Sequence, residues 1–167
     1  LAKLQAELTH DTPAGIFSSQ CVALMSHFAL YEDYSFEQFP DYAEMYLPGG
    51  PNRWWRRFKT LWAGPVANRK KRDRGPLQGE GVGINTVHAV CTLITEERSL
   101  IGMMRRLIDW GGDTDSVAAI AWGVASTRMQ DEELPDFLVR DLEQGRKDTG
   151  LIRLRELGKQ LMDKYSR

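Results

Sequence analysis

The sequence predicts an all-α protein made of several packed helices. Apolar residues recur three and four positions apart through most of the chain. Capping residues and glycine or proline breakers separate these segments, and no convincing alternation of apolar and polar residues indicates a strand. The chain has 167 residues, which is the size of one domain.

The composition excludes several classes of protein. A formal net charge of −1 gives no dominant attraction to nucleic acid or to an anionic membrane. Cys21 and Cys91 form no zinc pattern and are expected to be buried free thiols. No apolar run approaches a membrane-spanning length, and no signal peptide opens the sequence. We therefore expect a cytoplasmic protein with no membrane partner.

Two helices are expected first. Leucines recur at helical spacing over residues 1–8, so the sequence opens inside an amphipathic helix. Thr12 can cap a second helix that has Pro13 at its first position and runs to about Tyr31. Its residues are apolar on nearly all sides, which predicts a central, buried helix.

Only short helices are expected next. Ser35 and Gln38 fit a capping box, although Pro40 limits the length of any helix there. The stretch 47–51 contains two prolines and two glycines, which predict an interruption between helices. Residues 52–62 are aromatic and basic and predict a short helix with two faces.

A charged loop and a glycine-rich loop precede the next buried helix. Five basic residues lie in 69–74 without interleaved aromatic residues, which favours a solvated loop over a nucleic-acid-binding surface. Three glycines in 79–83 then lead into an apolar helix over 85–94. The glycines could cradle a phosphate or simply connect two elements. His88, inside this helix, is expected to be a core histidine.

The remaining helices complete the bundle. Thr95 is expected to cap a helix that ends at Trp110, where two glycines suit a helix C-terminus. Further helices are expected up to about Arg128, over 131–143 and over 149–165. The last helix has an apolar stripe formed by Leu151, Leu154, Leu157, Leu161 and Tyr165.

The stretch Gly111–Ser116 carries the strongest sign of chemistry. In a regular helix Asp113 and Asp115 would point roughly 200° apart, because each residue advances about 100°. They converge only if Asp113 lies in the turn while Asp115 and Ser116 open the helix. Three oxygen ligands would then meet at one helix start, as a hard cation such as Mg²⁺ or Ca²⁺ requires. The alternative is a helix cap with acidic residues that the helix dipole stabilises.

Three stretches together resemble one protein family. The sequence GGDTDSVAAIAWG at 111–123 resembles the C-terminal signature of the ADP-ribosylglycohydrolase family, GGDTDT followed by a small, apolar helix. THDTPAG at 9–15 resembles the family's TH-containing segment, and the glycine-bearing loop before TVHA at 86–89 follows the family's order. The resemblance spans about residues 9–128. It implies a compact all-α orthogonal bundle, of which residues 1–167 form the C-terminal part of a single domain.

The resemblance also implies an activity and a set of site residues. The family hydrolyses the N- or O-glycosidic bond between ADP-ribose and a modified protein side chain or related acceptor. It uses two Mg²⁺ ions, or Mn²⁺ in some members, at the base of an ADP-ribose cleft. The implied metal ligands are Asp113, Asp115 and Ser116, the last in place of the usual threonine. The implied substrate-binding residues are His10 in the cleft and Gly81 and Gly83 near its mouth.

The sequence departs from the family's pattern in one respect. A Thr-Asp-Asp type triplet of further ligands and the acidic general base belong to the family's N-terminal half, and neither is found here. The general base is therefore expected upstream of Leu1. Three alternatives stay open: a fragment, a half-site supplied by a partner, or a non-catalytic module that binds ADP-ribose or another partner.

Two other features leave alternatives open. The aromatic and guanidinium groups of residues 54–57 could stack on adenine or hold a pyrophosphate, or they could pack in the core. His10 could line the cleft or have a structural role at the next helix start.

Overall fold

The all-α prediction is confirmed by the computed structural model of the chain. The structure describes residues 1–47, 52–66, 82–140 and 150–165. These residues form helices and contain no strand. Contacts divide the chain into a first unit of residues 1–132 and a second unit of residues 133–167.

The helices follow one another along the chain with short connections. In the first unit the described helices are α1 (Ala2–Thr9), α2 (Pro13–Tyr31), a 3₁₀ helix (Phe36–Gln38), α3 (Phe39–Tyr46), α4 (Asn52–Phe58), α5 (Val82–Glu96), α6 (Leu100–Trp110) and α7 (Thr114–Ala125). In the second unit they are α8 (Asp136–Arg140) and α9 (Gly150–Tyr165).

Helix α2 begins and ends where the sequence predicts. The Thr12 Oγ1 atom accepts a hydrogen bond from the Gly15 N–H at 3.0 Å, and Pro13 occupies the first helical position. The cap satisfies an N–H that the helix itself leaves free, and the fixed φ of proline suits the first turn. The helix then runs to Tyr31.

The other end of α2 is held by Arg128, which follows α7. Its guanidinium donates hydrogen bonds to the backbone carbonyl oxygens of Phe28, Ala29, Glu32 and Tyr34. Its Cζ atom also lies 5.2 Å from the ring centroid of Phe28 and 4.5 Å from that of Phe36. The last carbonyl groups of a helix have no partner inside the helix. Arg128 supplies partners for these groups and ties the end of α7 to the end of α2.

Helix α5 is the centre of the first unit. Its residues from Ile84 to Ile94 are all buried, and it packs against α2, α4 and α7. The buried helix predicted over 85–94 is therefore confirmed. Helix α2, predicted to be central and buried, is only partly buried, because it leaves Leu30 and Tyr31 at 59% and 74% exposure. Among the described helices α5 has the long buried run, so an apolar composition alone did not identify the central helix.

The predicted start of α6 is also wrong. Helix α5 continues through Glu96, and Ser99 rather than Thr95 caps α6. The Ser99 Oγ atom accepts a hydrogen bond from the Gly102 N–H at 2.9 Å. The Thr95 hydroxyl instead donates to the carbonyl oxygen of Cys91 within α5, at 2.9 Å. Threonine commonly makes this bond inside a helix.

The two cysteines are buried free thiols, as the sequence predicts. Burial raises the pKa of Cys91 to about 12. Burial, together with the nearby Cys91, raises the pKa of Cys21 well above its usual value. Since the thiolate is the nucleophilic form of cysteine, neither side chain is activated for nucleophilic chemistry.

His88 lies in the core, as predicted, between the rings of Phe58 and Trp62. Its Nε2 atom lies 2.7 Å from the carbonyl oxygen of Thr60, so Nε2 carries the proton and donates it. Its Nδ1 atom is buried and has no hydrogen-bond partner among the residues that the structure describes. Burial lowers the pKa of His88; the bond to Thr60 opposes this and the charge of Arg57 adds to it. The ring is therefore neutral in the folded protein at neutral pH.

We expect the substitution His88→Gln to reduce the loss of stability on acidification. The pKa of His88 is lower in the folded than in the unfolded chain, so the unfolded chain binds the proton first. Neutral His88 contributes fully to the free energy of unfolding above about pH 6.5. This contribution is lost as the pH falls from there through the pKa that His88 has in the folded protein. Glutamine can still donate to Thr60 but does not titrate. Urea unfolding between pH 7.5 and 5 would contradict this if both proteins lost stability equally.

The second unit contains α8 and α9. The helix predicted over 131–143 begins only at Asp136, and residues 141–143 lie outside the described part of the chain. Helix α9 agrees with the prediction over 149–165, and none of its residues is buried. Among all described helices, none is long and apolar enough to cross a lipid bilayer.

Candidate metal and substrate site

An open cavity in the first unit brings most of the predicted site residues together. Its volume is about 1220 Å³, and its walls come from α1, α2, α5, α7 and the turns before α2 and α7. The predicted residues on its walls are His10, Gly83, Asp113, Asp115 and Ser116. The sixth, Gly81, lies outside the described residues, as does the basic stretch 69–74.

The turn before α7 has a backbone shape that only glycine adopts readily. Gly111 ends α6 with φ and ψ of 68° and −176°, and its N–H donates to the carbonyl oxygens of Leu107 and Ile108. Gly112 follows with φ of 89°. Residues other than glycine are strained at such backbone angles. The two glycines therefore let the chain reverse direction between α6 and α7.

A second contact fixes this turn from outside. The Val66 N–H donates to the Gly111 carbonyl oxygen at 2.9 Å, and the Val66 carbonyl oxygen accepts from the Asp113 N–H at 3.4 Å. A Cβ atom on Gly112 would lie 1.9 Å from that same Val66 oxygen. Glycine at position 112 thus allows two backbone segments to touch directly beside the acidic residues.

Asp113 occupies the N-cap position of α7 but does not cap the helix. Its φ and ψ are −80° and 63°, and its side chain makes no capping hydrogen bond. An aspartate that serves as a cap accepts a bond from an N–H two or three residues ahead. Asp115 and Ser116 follow in the first turn, so Asp113 lies in the turn and the other two open the helix. The capping interpretation of Asp113 is therefore wrong, and its carboxylate caps no N–H group among the described residues.

His10 is placed at the cavity by a tight turn between α1 and α2. Its Nδ1 atom lies 2.8 Å from Thr9 Oγ1, and its carbonyl oxygen accepts from the Thr12 N–H at 2.7 Å. A Cβ atom on Gly15 would lie 2.5 Å from the same carbonyl oxygen. Glycine at position 15 is what lets the first turn of α2 approach His10 so closely.

Gly83 lies within α5 and not in a loop, which corrects the predicted start of that helix at residue 85. A Cβ atom on Gly83 would lie 2.8 Å from the Oγ atom of Ser18 on α2. The glycine therefore permits close packing between two helices that form the cavity wall.

Several cavity residues were not predicted from the sequence. They are small or polar side chains: Gln5, Thr12, Ser18, Ser19 and Thr86. Ser18 and Ser19 follow Gly15 by three and four positions, and Thr86 follows Gly83 by three. Residues at this spacing share one helix face. A small polar residue three or four positions after each glycine is the sequence pattern that could have identified this cavity wall.

Trp54 packs in the core and is unavailable for stacking on a ligand. It is 4% exposed, and its ring centroid lies 4.7 Å from that of Phe17. For this residue the core interpretation of the aromatic and basic cluster is correct.

The oxygen donors at the start of α7 fit a hard cation. They comprise two carboxylates and one hydroxyl on the wall of one cavity. Mg²⁺ is commonly held by one or two carboxylates, with water completing its shell. Across the described ranges, no group of three or more His, Cys, Asp or Glu side chains is placed to hold a metal ion. Any ion held by these donors would therefore need further ligands from water, from a bound ligand or from residues outside those described.

The chain matches one known protein family. One family model, described as ADP-ribosylglycohydrolase, matches residues 1–167. No curated protein and no solved structure matched the chain. The family description implies a glycohydrolase type of function and substrates that contain ADP-ribose. Because the match extends over every residue of the sequence, the chain belongs to the ADP-ribosylglycohydrolase family.

Proposed function

We propose that the protein is a metal-dependent hydrolase that cleaves the N- or O-glycosidic bond joining ADP-ribose to a protein side chain or related acceptor. The observation that carries the proposal is the uncapped Asp113, next to Asp115 and Ser116, on the wall of a large cavity. Family membership supports the substrate class. The volume of about 1220 Å³ is large enough for a nucleotide-sized ligand.

Each named residue has a proposed role. The carboxylates of Asp113 and Asp115 and the hydroxyl of Ser116 would hold Mg²⁺ or Mn²⁺. Such an ion, when bound, stabilises negative charge on oxygen atoms and orients oxygen ligands. His10 would contact the ligand through Nε2, because its Nδ1 atom is engaged by Thr9. Gly83 and Ser18 would shape the wall on which the ligand lies.

Hydrolysis also needs a group that moves protons at the attacking water and the leaving atom. A carboxylate is suited to this task, and we propose that it comes from outside the described residues. A further segment of the polypeptide or a partner chain would bring it to the cavity, together with any ligands that a second ion requires.

We expect the substitution Asp113→Asn to weaken binding of Mn²⁺ and to abolish most release of ADP-ribose. Removing a residue that hydrogen-bonds to a metal ligand typically lowers the metal affinity about 10–100-fold. Removing the charge of a ligand itself should therefore lower the affinity at least about tenfold. Calorimetry with Mn²⁺ and release of ADP-ribose from peptides modified on arginine or serine would measure the two effects.

Asp109→Asn is the matched control. Asp109 is an exposed aspartate near the end of α6 and does not line the cavity. The control should bind metal and release ADP-ribose as the unchanged protein does. Absence of metal binding by the unchanged protein, or equal binding by Asp113→Asn, would remove the basis of the proposed hydrolase.

A non-catalytic module that binds ADP-ribose is the second candidate. The observation that favours it is the incomplete set of acidic ligands among the described residues. Tight binding of ADP-ribose by the full-length protein without turnover, with Mg²⁺ present, would support this candidate over the hydrolase.

A further inference from the structure

We propose that the segment Thr60–Val66, called the strap below, positions the Asp113 turn for metal binding, and that Thr92 is a positioning residue for that turn. The proposal rests on the proposed role of Asp113 as a metal ligand. It concerns a residue of α5 that neither lines the cavity nor belongs to the acidic turn.

One end of the strap determines the backbone on both sides of Gly112. Val66, which is 1% exposed, donates to the Gly111 carbonyl oxygen and accepts from the Asp113 N–H. These two bonds involve the residues before and after Gly112. A shift of Val66 therefore moves the peptide group of Asp113, and with it the point from which its carboxylate extends.

The other end of the strap is anchored in the core on α5. The Trp62 N–H donates to the Thr92 Oγ1 atom at 2.9 Å, and the Thr60 carbonyl oxygen accepts from His88 Nε2 at 2.7 Å. The indole Nε1–H of Trp62 also donates to the Gly64 carbonyl oxygen at 2.8 Å. The strap is thus held to α5 at two points and stabilised by a third bond within itself before it reaches Val66.

Thr92 is the anchor that can be tested most cleanly. Its side chain is 2% exposed, and its hydroxyl oxygen is the acceptor for the buried N–H of Trp62. Valine has nearly the same shape as threonine but cannot accept this bond, so the N–H would be left buried and unpaired. The strap would then shift to find another partner. Metal ligands must be held within about 0.5 Å of their working positions, so a small shift matters.

The test compares Thr92→Val with Thr92→Ser in the full chain, using Mn²⁺ affinity by calorimetry and thermal unfolding. Thr92→Val should weaken Mn²⁺ binding about tenfold, as loss of a supporting hydrogen bond at a metal site typically does. Thr92→Ser retains the hydroxyl and should bind Mn²⁺ within about twofold of the unchanged protein. A general loss of stability alone would not give this difference in affinity between two folded proteins.

Thr95→Val is the matched control for a lost threonine hydroxyl on α5, because that hydroxyl bonds only to carbonyl oxygens of its own helix. It should leave Mn²⁺ affinity unchanged. Trp62→Phe removes the indole bond to Gly64 and part of the ring that packs against His88, and it provides a second variant if Thr92→Val does not fold. It should weaken Mn²⁺ binding in the same direction.

The outcomes separate the two proposals. If Asp113→Asn loses Mn²⁺ binding while Thr92→Val and Trp62→Phe bind as the unchanged protein does, the role of the strap is wrong and the metal site stands. If Asp113→Asn itself binds normally, the proposed metal site fails, and the role of the strap fails with it.

Discussion

Replacing Gly112 by alanine is expected to lower the free energy of unfolding by about 3–5 kcal/mol, because it combines backbone strain with a steric clash. With φ at 89°, an alanine would be strained by about 1–3 kcal/mol. Its Cβ would lie 1.9 Å from the carbonyl oxygen of Val66 and 2.8 Å from the carbonyl carbon. Backbone atoms cannot rotate away as a side chain can, so the turn must move. The hydrogen bond between Val66 and Asp113 would then break.

Two other glycines separate the causes of this effect. At Gly111, φ is 68° but no atom of the described residues lies within 4 Å of an added Cβ, so Gly111→Ala should cost only the strain, about 1–3 kcal/mol. Gly123 lies inside α7 with no atom near an added Cβ, and Gly123→Ala should stabilise the protein by about 0.5–1 kcal/mol. Urea unfolding measures all three variants. A loss at Gly112 no larger than that at Gly111 would show that the contact with Val66 is unimportant.

Replacing Arg128 by methionine is expected to lower the free energy of unfolding by about 2–4 kcal/mol, because a charged donor to several carbonyl groups is lost. The guanidinium has donors in a planar fork and reaches four carbonyl oxygens at the end of α2. Methionine also removes the guanidinium that lies over the rings of Phe28 and Phe36. The measured loss therefore reports the hydrogen bonds together with these two cation–π contacts.

Lysine and a second arginine provide the comparisons. Arg128→Lys keeps the charge but offers three donors from one atom, so it should recover less than half of the loss. Arg98→Met removes an exposed arginine that bonds to Glu37 and to the Thr95 carbonyl oxygen, and should cost no more than about 1 kcal/mol. Chemical unfolding of the three variants would contradict this account if Arg98 and Arg128 contributed equally.

Helix ends were predictable where the capping group lies close in sequence. Thr12 begins α2 and Gly111 ends α6, as expected, because each makes its bond within four residues. The start of α6 was misplaced although its cap is also local, because Thr95 and Ser99 offer the same capping chemistry and only a distant contact favours the later start. The Glu132 carboxylate accepts from the N–H groups of Leu100 and Ile101, more than 30 residues away in the chain. A local pattern of threonine followed by two glutamates could not reveal that contact.

The candidate site also has parts that the sequence predicts and parts that it does not. Asp113, Asp115, Ser116 and His10 carry side chains with distinctive chemistry, and the structure places all four on one cavity. The strap was not predicted, because the hydrogen bonds between Val66 and the acidic turn are made by backbone atoms. Any residue type has those atoms, so no side-chain pattern marks the contact. Such contacts depend on how the whole chain folds.

The anchoring of the strap on α5 has a consequence for how the site behaves before it meets a ligand. The backbone of the acidic turn is bonded to a segment that is itself bonded to the most deeply buried helix. We therefore expect the turn to open together with the core and not by itself. Its backbone is held before any ligand arrives, so ordering the backbone should cost little of the binding free energy of such a ligand.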